Sequence, residues 1–284
     1  MAQSLLLVNV FLFFLAVLLL YHFSNIFRYY FRICFLKGWI LVWSFYLLPV
    51  LALRGRNVAN IRILRFIMLP LKLLYGIKIN VQGATNLNLK GPYVVISNLQ
   101  CSMDLLGIFQ ILPKQCTLFV NKEVLYMLTV GVVLWLSGFI FIDHKKEAEA
   151  VEIISATVDT MLRDHLRIWV FSESHRTGES TLEPLQREAV HLAVKAQVPI
   201  IPVVMSSYKP FFDMKTNKFT SGNITIQILP PVKTKGLGLG DIPDLTDRMW
   251  GAILSNFHDI SAEPGKQASM VKEEHQTSPQ LLRD

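Results

Sequence analysis

The sequence predicts an α/β fold in which helices pack on a mixed β-sheet, with an N-terminal membrane anchor. From Gly91 onward, short apolar runs rich in β-branched residues alternate with helical patterns, which indicates a layered α/β domain. The chain is 52% hydrophobic, and no charged residue precedes Arg28, which indicates attachment to a membrane. The 284 residues contain no internal repeat and no linker long enough to separate two globular domains.

The first segment, residues 1–27, is predicted to be a transmembrane anchor. Residues 4–23 are 20 largely apolar positions, enough to cover a hydrocarbon core of roughly 30 Å. A cleaved signal peptide would need a basic start and a small-residue cleavage site, and neither is visible, so we expect the anchor to be retained. The Lys and Arg excess follows the segment, which predicts that the globular part faces the cytosol.

The second segment, residues 28–80, is predicted to lie at the membrane surface. Its apolar run, residues 38–53, has only 16 uncharged positions, contains Pro49 and has basic flanks, which favours a shallow or re-entrant insertion over a crossing. Residues 61–77 form an amphipathic pattern that predicts an interfacial stretch, with an ordinary packed helix as the alternative. All charged residues from 28 to 78 are basic and suit anionic headgroups: Arg28, Arg32, Lys37, Arg54, Arg56, Arg62, Arg65, Lys72 and Lys78.

The globular domain is predicted over residues 81–260, and the polar, aperiodic tail 261–284 is predicted to be disordered. The apolar run 124–142 predicts a buried helix followed by a central strand rather than a membrane span. The apolar spacing of Val151, Ile154, Val158 and Met161 predicts one face of a helix. Strands are expected at 93–96, 117–120, 139–142, 167–171, 199–205 and 224–229, and helices at 102–112, 147–162, 185–196 and 241–260.

A family resemblance is carried by residues 96–107, Ile-Ser-Asn-Leu-Gln-Cys-Ser-Met-Asp-Leu-Leu-Gly. This stretch resembles the first motif of the 1-acylglycerol-3-phosphate (lysophosphatidate) acyltransferases, where a His is followed after four intervening residues by an Asp. Asp104 holds the Asp position, but Leu99 stands at the position of the His. Residues 138–143, 198–203 and 219–222 resemble further family motifs. The resemblance covers about residues 80–260 and identifies the chain as a family member.

The resemblance implies transfer of an acyl group from acyl-CoA, as co-substrate, to lysophosphatidate at the endoplasmic reticulum membrane, with no bound cofactor. In the family the His is the general base and the Asp orients it. The third family motif, Phe-Pro-Glu-Gly-Thr-Arg, is expected to bind the substrate phosphate; here residues 171–176 read Phe-Ser-Glu-Ser-His-Arg and keep Glu173 and Arg176. An ion pair between these two residues is the structural alternative.

The departures from the family pattern predict weak or absent catalysis. Leu99 cannot accept a proton, and loss of a general base typically costs about 10²- to 10⁴-fold in rate. One alternative is an active enzyme that uses a substitute base such as His175. Another is a non-catalytic protein that binds lipid or acyl-CoA and regulates an active paralogous acyltransferase. Asp104, with no His to orient, is equally expected to cap or brace the following helix.

The resemblance implies lysophosphatidate and acyl-CoA as partners beside membrane lipid, and the remaining composition indicates no further class of partner. The three cysteines, Cys34, Cys101 and Cys116, have no paired spacing, and no metal-ligand pattern is present. No nucleic-acid-binding module is visible, because the basic residues cluster next to the anchor. A channel or transporter is disfavoured, since the single convincing span carries no charged residue.

Overall fold

A computed structural model describes residues 2–101, 103–143, 146–173 and 184–261. The helices are α1 (Ala2–Phe23), α2 (Asn25–Arg54), α3 (Ile61–Met68), α4 (Pro70–Leu74), α5 (Asp104–Ile111), α6 (Leu128–Leu136), α7 (Glu147–Arg163), α8 (Pro184–Ala196) and α9 (Ile242–Ser261). The strands are β1 (Ile77–Gln82), β2 (Val94–Leu99), β3 (Cys116–Asn121), β4 (Ile140–Ile142), β5 (Arg167–Glu173), β6 (Ile200–Met205), β7 (Phe212–Asp213), β8 (Lys218–Phe219) and β9 (Gly222–Ile228).

The chain divides into two compact units that interleave along the sequence. The first unit comprises Met1–Lys78, Asn121–Phe141 and Tyr208–Asn223, and the second comprises Ile79–Val120, Ile142–Ser207 and Ile224–Asp284. The first unit therefore contains α6 and the β7–β8 hairpin, which come from later in the chain, in addition to the N-terminal helices. Sequence patterns, which run along the chain, do not reveal this arrangement.

The first unit begins with two helices, α1 and α2, that are long and apolar enough to cross a membrane by length and composition. No part of the apolar window in α1 is buried within the protein, and 17% of the window in α2 is buried. Helix α2 runs unbroken for 30 residues through Pro49, so the predicted 16-residue run at 38–53 is only its second half. The basic residues from Arg28 to Lys37 lie inside this helix and do not end it, and a shallow or re-entrant insertion of residues 38–53 stays a prediction.

Helix α6 packs on α2 in the first unit. The hydroxyls of Ser44 and Thr129 lie 2.6 Å apart, and the buried Asn60 side chain donates to the carbonyl of Leu136 over 2.9 Å. The helix predicted here to be buried is buried on one side only: Gly131, Val133 and Leu136 are buried, whereas Leu128 is 78% exposed. An all-apolar sequence has no polar face, so its periodicity cannot show which side faces outward.

The central sheet is mixed, as the sequence predicts. Its strand order is β1-β9-β6-β2-β5-β3-β4. Strand β2 pairs parallel with β5 and β6, β3 pairs parallel with β5, and β9 pairs antiparallel with β6. Strand β4 ends this order, so the predicted central strand at 139–142 is an edge strand. Strand β1 and the β7–β8 hairpin were not predicted from the sequence, because both are short and only partly apolar.

Helices α7, α8 and α9 belong to the second unit, and α8 packs on β2 and β5. The buried positions of α7 include Ala150, Ile154, Val158 and Met161. Val151, predicted to lie on this face, is 46% exposed, and the smaller Ala150 takes its place. Helix α5 lies close to the sheet at Gly107. A Cβ added to this glycine would come within 3.2 Å of both Ile226 and Met205, so the absence of a side chain permits the close approach.

Candidate functional site

The candidate site lies where the parallel strands β2 and β5 end. In this pair Leu99 stands opposite Glu173 in the register. Because parallel strands present their carboxyl ends at one edge of a sheet, the first- and third-motif positions come together there. Within β2 the residues from Val94 to Asn98 are buried and Leu99 is partly exposed. The position that holds His in the family is therefore partly accessible and carries an aliphatic side chain.

The third-motif side chains lie outside what the structure describes. Glu173 is placed through its main chain only, and His175 and Arg176 are not among the described residues. The assignments of Glu173 and Arg176 to phosphate binding, and of His175 as a substitute base, therefore stay predictions.

Asp104 opens helix α5 and is fully buried. Its Oδ2 accepts hydrogen bonds from the main-chain N–H groups of Gln100 and Cys101, each over 2.6 Å. Hydrogen bonds to a charged acceptor are shorter and stronger than neutral ones, so this carboxylate holds the chain that directly follows Leu99. Asp104 was predicted to cap or brace the following helix, and these two bonds instead hold the loop that precedes that helix. A role in catalysis stays a prediction.

Two polar side chains that sequence reasoning missed fix the end of β2 to the end of β6. The Asn98 amide donates to the carbonyl of Met205 over 2.9 Å and accepts from its N–H over 2.8 Å. The Gln100 side chain donates to the carbonyls of Met205 and Ser206 over 3.2 and 3.0 Å. Their signal in the sequence is a pair of amides at the end of an apolar strand, where buried polar groups need partners.

Strands β2 and β5 are also joined by a buried side-chain hydrogen bond, which involves the residue two positions before Leu99 in β2. Trp169 Nε1 donates to Ser97 Oγ over 2.8 Å, and neither residue has exposed surface. An indole N–H that is buried requires such an acceptor. The floor of the site is therefore fixed by a specific pair as well as by apolar packing.

Cys101 is a partly exposed free thiol in the loop after β2. Burial, and next the nearby Asp104 carboxylate, raise the pKa of Cys101 to about 12. Only the thiolate is a strong nucleophile, so this cysteine stays protonated and unreactive near neutral pH. A thiol with so high a pKa is not a general base near neutral pH.

The other titratable groups near the sheet do not form a metal centre. Among the residues described, no group of three His, Cys, Asp or Glu side chains is placed to hold a metal ion. His191 lies on α8 between buried Val190 and Leu192. Burial, followed by the Lys195 cation, lowers the pKa of His191.

The class of protein is indicated by a family model described as Acyltransferase, which matches residues 78–206 and so covers most of the sheet. The 1-acyl-sn-glycerol-3-phosphate acyltransferase alpha of Homo sapiens is 44% identical over 236 residues, 83% of each chain. The human beta protein is 34% identical over 210 residues, 74% of this chain and 76% of that protein. The crystal structure of the 1-acyl-sn-glycerophosphate (LPA) acyltransferase PlsC from Thermotoga maritima has the same fold, with a TM-score of 0.56 at 17% identity, covering 84% of this chain and 97% of that one. The chain belongs to the 1-acyl-sn-glycerol-3-phosphate acyltransferase family.

Proposed function

We propose that this protein is a membrane-bound member of the lysophosphatidate acyltransferase family whose own turnover is weak or absent. Its relatives' names support the reaction class, acyl-CoA with 1-acylglycerol 3-phosphate giving phosphatidate in phospholipid synthesis. The observation that carries the weak-turnover proposal is Leu99, a partly exposed aliphatic residue at the end of β2 where the family has its base.

The chemistry explains why this one position matters. The substrate hydroxyl oxygen attacks the thioester carbonyl, a C–O bond forms, and the C–S bond to CoA breaks. The hydroxyl proton must pass to a base as attack proceeds, because a neutral alcohol is a poor nucleophile. The side chain of Leu99 has no lone pair that could accept this proton. Asp104 is the nearest carboxylate in the sequence, and its Oδ2 already accepts hydrogen bonds from two main-chain N–H groups.

The remaining roles are assigned by motif position. Glu173 and Arg176 are proposed to bind the phosphate of lysophosphatidate, with the guanidinium as a bidentate partner. His175 is the proposed substitute base in the alternative where the enzyme is active. Asp104 is proposed to keep a site role only where a histidine is present for it to orient.

The proposed location is the endoplasmic reticulum membrane, with the globular domain facing the cytosol. The two apolar N-terminal helices support membrane association. In this arrangement residues 1–27 anchor the chain, residues 28–80 lie at the interface, residues 81–260 form the acyltransferase domain, and residues 261–284 are a disordered tail. The basic residues that follow α1 support the cytosolic side.

A turnover assay of the purified full-length chain, in detergent micelles with labelled acyl-CoA and lysophosphatidate, tests the proposal. We expect phosphatidate formation at or near background for the natural chain. Leu99→His is expected to raise it by about 10²- to 10⁴-fold, the usual contribution of a general base. Leu99→Gln is the matched control, since it introduces a polar side chain of similar size that cannot act as a base near neutral pH.

Three outcomes decide between the alternatives. Family-like turnover by the natural chain that disappears in His175→Ala would establish the substitute-base enzyme and overturn the proposal. Binding of acyl-CoA or lysophosphatidate without turnover would favour the non-catalytic regulator of a paralogous acyltransferase. Equal activity of Leu99→His and Leu99→Gln would show that a missing base is not what limits the reaction.

A further inference from the structure

A groove in the first unit lies between the start of α2 and the β7–β8 hairpin. Asn25 and Arg28 line it on the helix side, and residues 216–220 line it on the hairpin side. Its volume is about 220 Å³. All of these residues belong to the same compact unit, whereas Leu99 and Asp104 belong to the other.

The groove lies in a unit that has an excess of positive charge. Arg28 and Lys218 both line it, and the first acidic residue of the whole sequence is Asp104. The first unit contains thirteen lysines and arginines but only two acidic residues, Glu123 and Asp213. Such an excess of one sign creates a positive potential that attracts anions.

The carboxylate of Asp213 in the hairpin accepts hydrogen bonds from within the hairpin itself. The Asp213 carboxylate accepts from the main-chain N–H of Lys215 over 2.9 Å and from the hydroxyl of Thr216 over 2.8 Å. These two hydrogen bonds, the one from Thr216 first, lower the pKa of Asp213. The carboxylate is therefore used to shape the turn. Asp213 stands opposite Lys218 in the hairpin register, and among the described residues no ion pair joins the two side chains.

Arg28 is held in place by the end of the preceding helix. Its Nε donates to the carbonyl of Tyr21 over 3.2 Å, and its Nη2 donates to that of His22 over 3.0 Å. The 30-residue helix α2 begins beside it, with Ser24 as the N-cap. Arg28 thus contacts the last carbonyls of α1, where a cation is favoured, and these contacts hold its guanidinium at this end of the groove.

A second arginine lies next to the groove. The Arg32 guanidinium stacks 5.4 Å from the ring centre of Phe219, a groove residue, and its Nε donates to the hydroxyl of Tyr21. Its Nη1 is buried and has no hydrogen-bond partner among the described residues. Arg32 does not line the groove, and its charge adds to the positive potential beside it.

The surroundings of the groove indicate where that anion comes from. Phe23 is 79% exposed and Ile26 is 59% exposed, at the junction of two helices apolar enough to enter a membrane. A cationic groove beside exposed apolar side chains matches the boundary between headgroups and acyl chains. We infer that this groove binds the phosphate of an anionic glycerophospholipid of the bilayer, with Arg28 and Lys218 as the phosphate contacts.

Native mass spectrometry of the full-length chain in detergent micelles tests this inference. Micelles are doped with phosphatidylserine or with phosphatidylcholine, and lipid retained by the protein is counted. We expect the natural chain to retain phosphatidylserine in preference. Lys218→Glu is expected to weaken that retention by about tenfold, since each cation near a lipid surface contributes appreciably to binding.

Lys215→Glu is the matched control because it makes the same charge change on the same exposed hairpin, outside the groove. It is expected to retain phosphatidylserine as the natural chain does. Arg28→Gln is the second groove variant, and its melting temperature is compared with that of the natural chain so that loss of folding is recognised. Equal losses in Lys218→Glu and Lys215→Glu would show a diffuse surface charge and overturn the inference.

Two further arms separate the possible sources of the phosphate. Glycerol 3-phosphate and inorganic phosphate are added without lipid, and neither is expected to bind at concentrations where phosphatidylserine is retained. Comparable binding of these soluble anions, or equal retention of phosphatidylcholine, would contradict a site for an anionic bilayer lipid.

Discussion

The side-chain amide of Asn98 forms a two-way hydrogen-bonded pair with the main chain of Met205, donating over 2.9 Å and accepting over 2.8 Å. Asn98 is 2% exposed and directly precedes Leu99. The side-chain amide thus makes the two hydrogen bonds to Met205 that the main chain of a neighbouring strand would make, at the place where β2 and β6 end. The position of Leu99 depends on this pair as much as on the strand itself.

Asn98→Leu is expected to destabilise the protein by about 1–3 kcal/mol, because it removes both hydrogen bonds from a buried site. The melting temperature of the full-length chain, followed by tryptophan fluorescence in detergent, measures the effect. Asn88→Leu is the control, since Asn88 is exposed and surface changes usually stay within about 0.5 kcal/mol. Equal melting temperatures for the two variants would show that the pair contributes nothing to stability.

The contributions of Ser97 and Trp169 to stability are expected to be coupled, because the two side chains share one buried hydrogen bond. Ser97→Ala leaves the buried indole N–H without its acceptor, and Trp169→Phe leaves the serine hydroxyl without its donor. The double variant loses both partners, so its destabilisation should fall short of the sum of the singles by about 0.5–3 kcal/mol. Unfolding by denaturant measures all three variants, and strictly additive losses would rule out coupling.

The Cys101 thiol is expected to alkylate slowly near neutral pH. In a Cys34→Ser/Cys116→Ser background, its rate should rise about tenfold per pH unit with no plateau up to about pH 10, because only the thiolate reacts and its pKa is about 12. Intact mass after treatment with iodoacetamide measures the rate. A plateau near pH 9 would show an ordinary thiol.

Asp104→Asn should speed the alkylation of Cys101 at each pH. The Asp104 carboxylate is, after burial, the next cause that raises the thiol pKa, so removing its charge lowers that pKa and increases the thiolate fraction. Asp159→Asn, on the separate helix α7, is the charge-matched control and should leave the rate unchanged. An unchanged rate in Asp104→Asn would mean that the carboxylate does not act on the thiol.

The gain expected for Leu99→His should depend on Asp104. Adding Asp104→Asn should remove most of the gain, by about tenfold or more, because a histidine base needs a carboxylate to hold its tautomer and stabilise the imidazolium. Asparagine keeps an oxygen acceptor for the N–H groups of Gln100 and Cys101, and the melting temperature checks that the loop survives. Phosphatidate formation that persists in the double variant would leave Asp104 with the bracing role alone.

The sequence was a sound guide to the sheet because its inner strands are continuous apolar runs. Strands β2, β5 and β6 are largely buried, and an apolar run such as 93–96 is typical of a strand inside a sheet. The same reasoning misplaced β4 at the centre of the sheet. Strand order is set by pairing between distant segments, and pairing leaves little trace in the composition of a three-residue strand.

The site could be located from sequence only through its motif. The apolar run at 93–96 predicted a strand and the pattern at 102–112 predicted a helix, and the structure has β2 ending at Leu99 and α5 beginning at Asp104. The partners of Asn98 and Gln100 could not be predicted, because Met205 and Ser206 are more than a hundred residues away. Amides pair with whichever main-chain groups the fold brings near, so chain distance is no guide to them.

By itself the sequence determined the apolar anchor helix, the family to which the chain belongs and the absence of a proton acceptor at residue 99, because these depend on the identity of side chains at fixed spacing. Only the tertiary structure decided that Leu99 stands opposite Glu173, that Asp104 holds the N–H groups of the loop, and that Arg28 and Lys218 share a groove. These relationships join residues across long loops, and their free energy exists only once the chain has folded and water has been excluded.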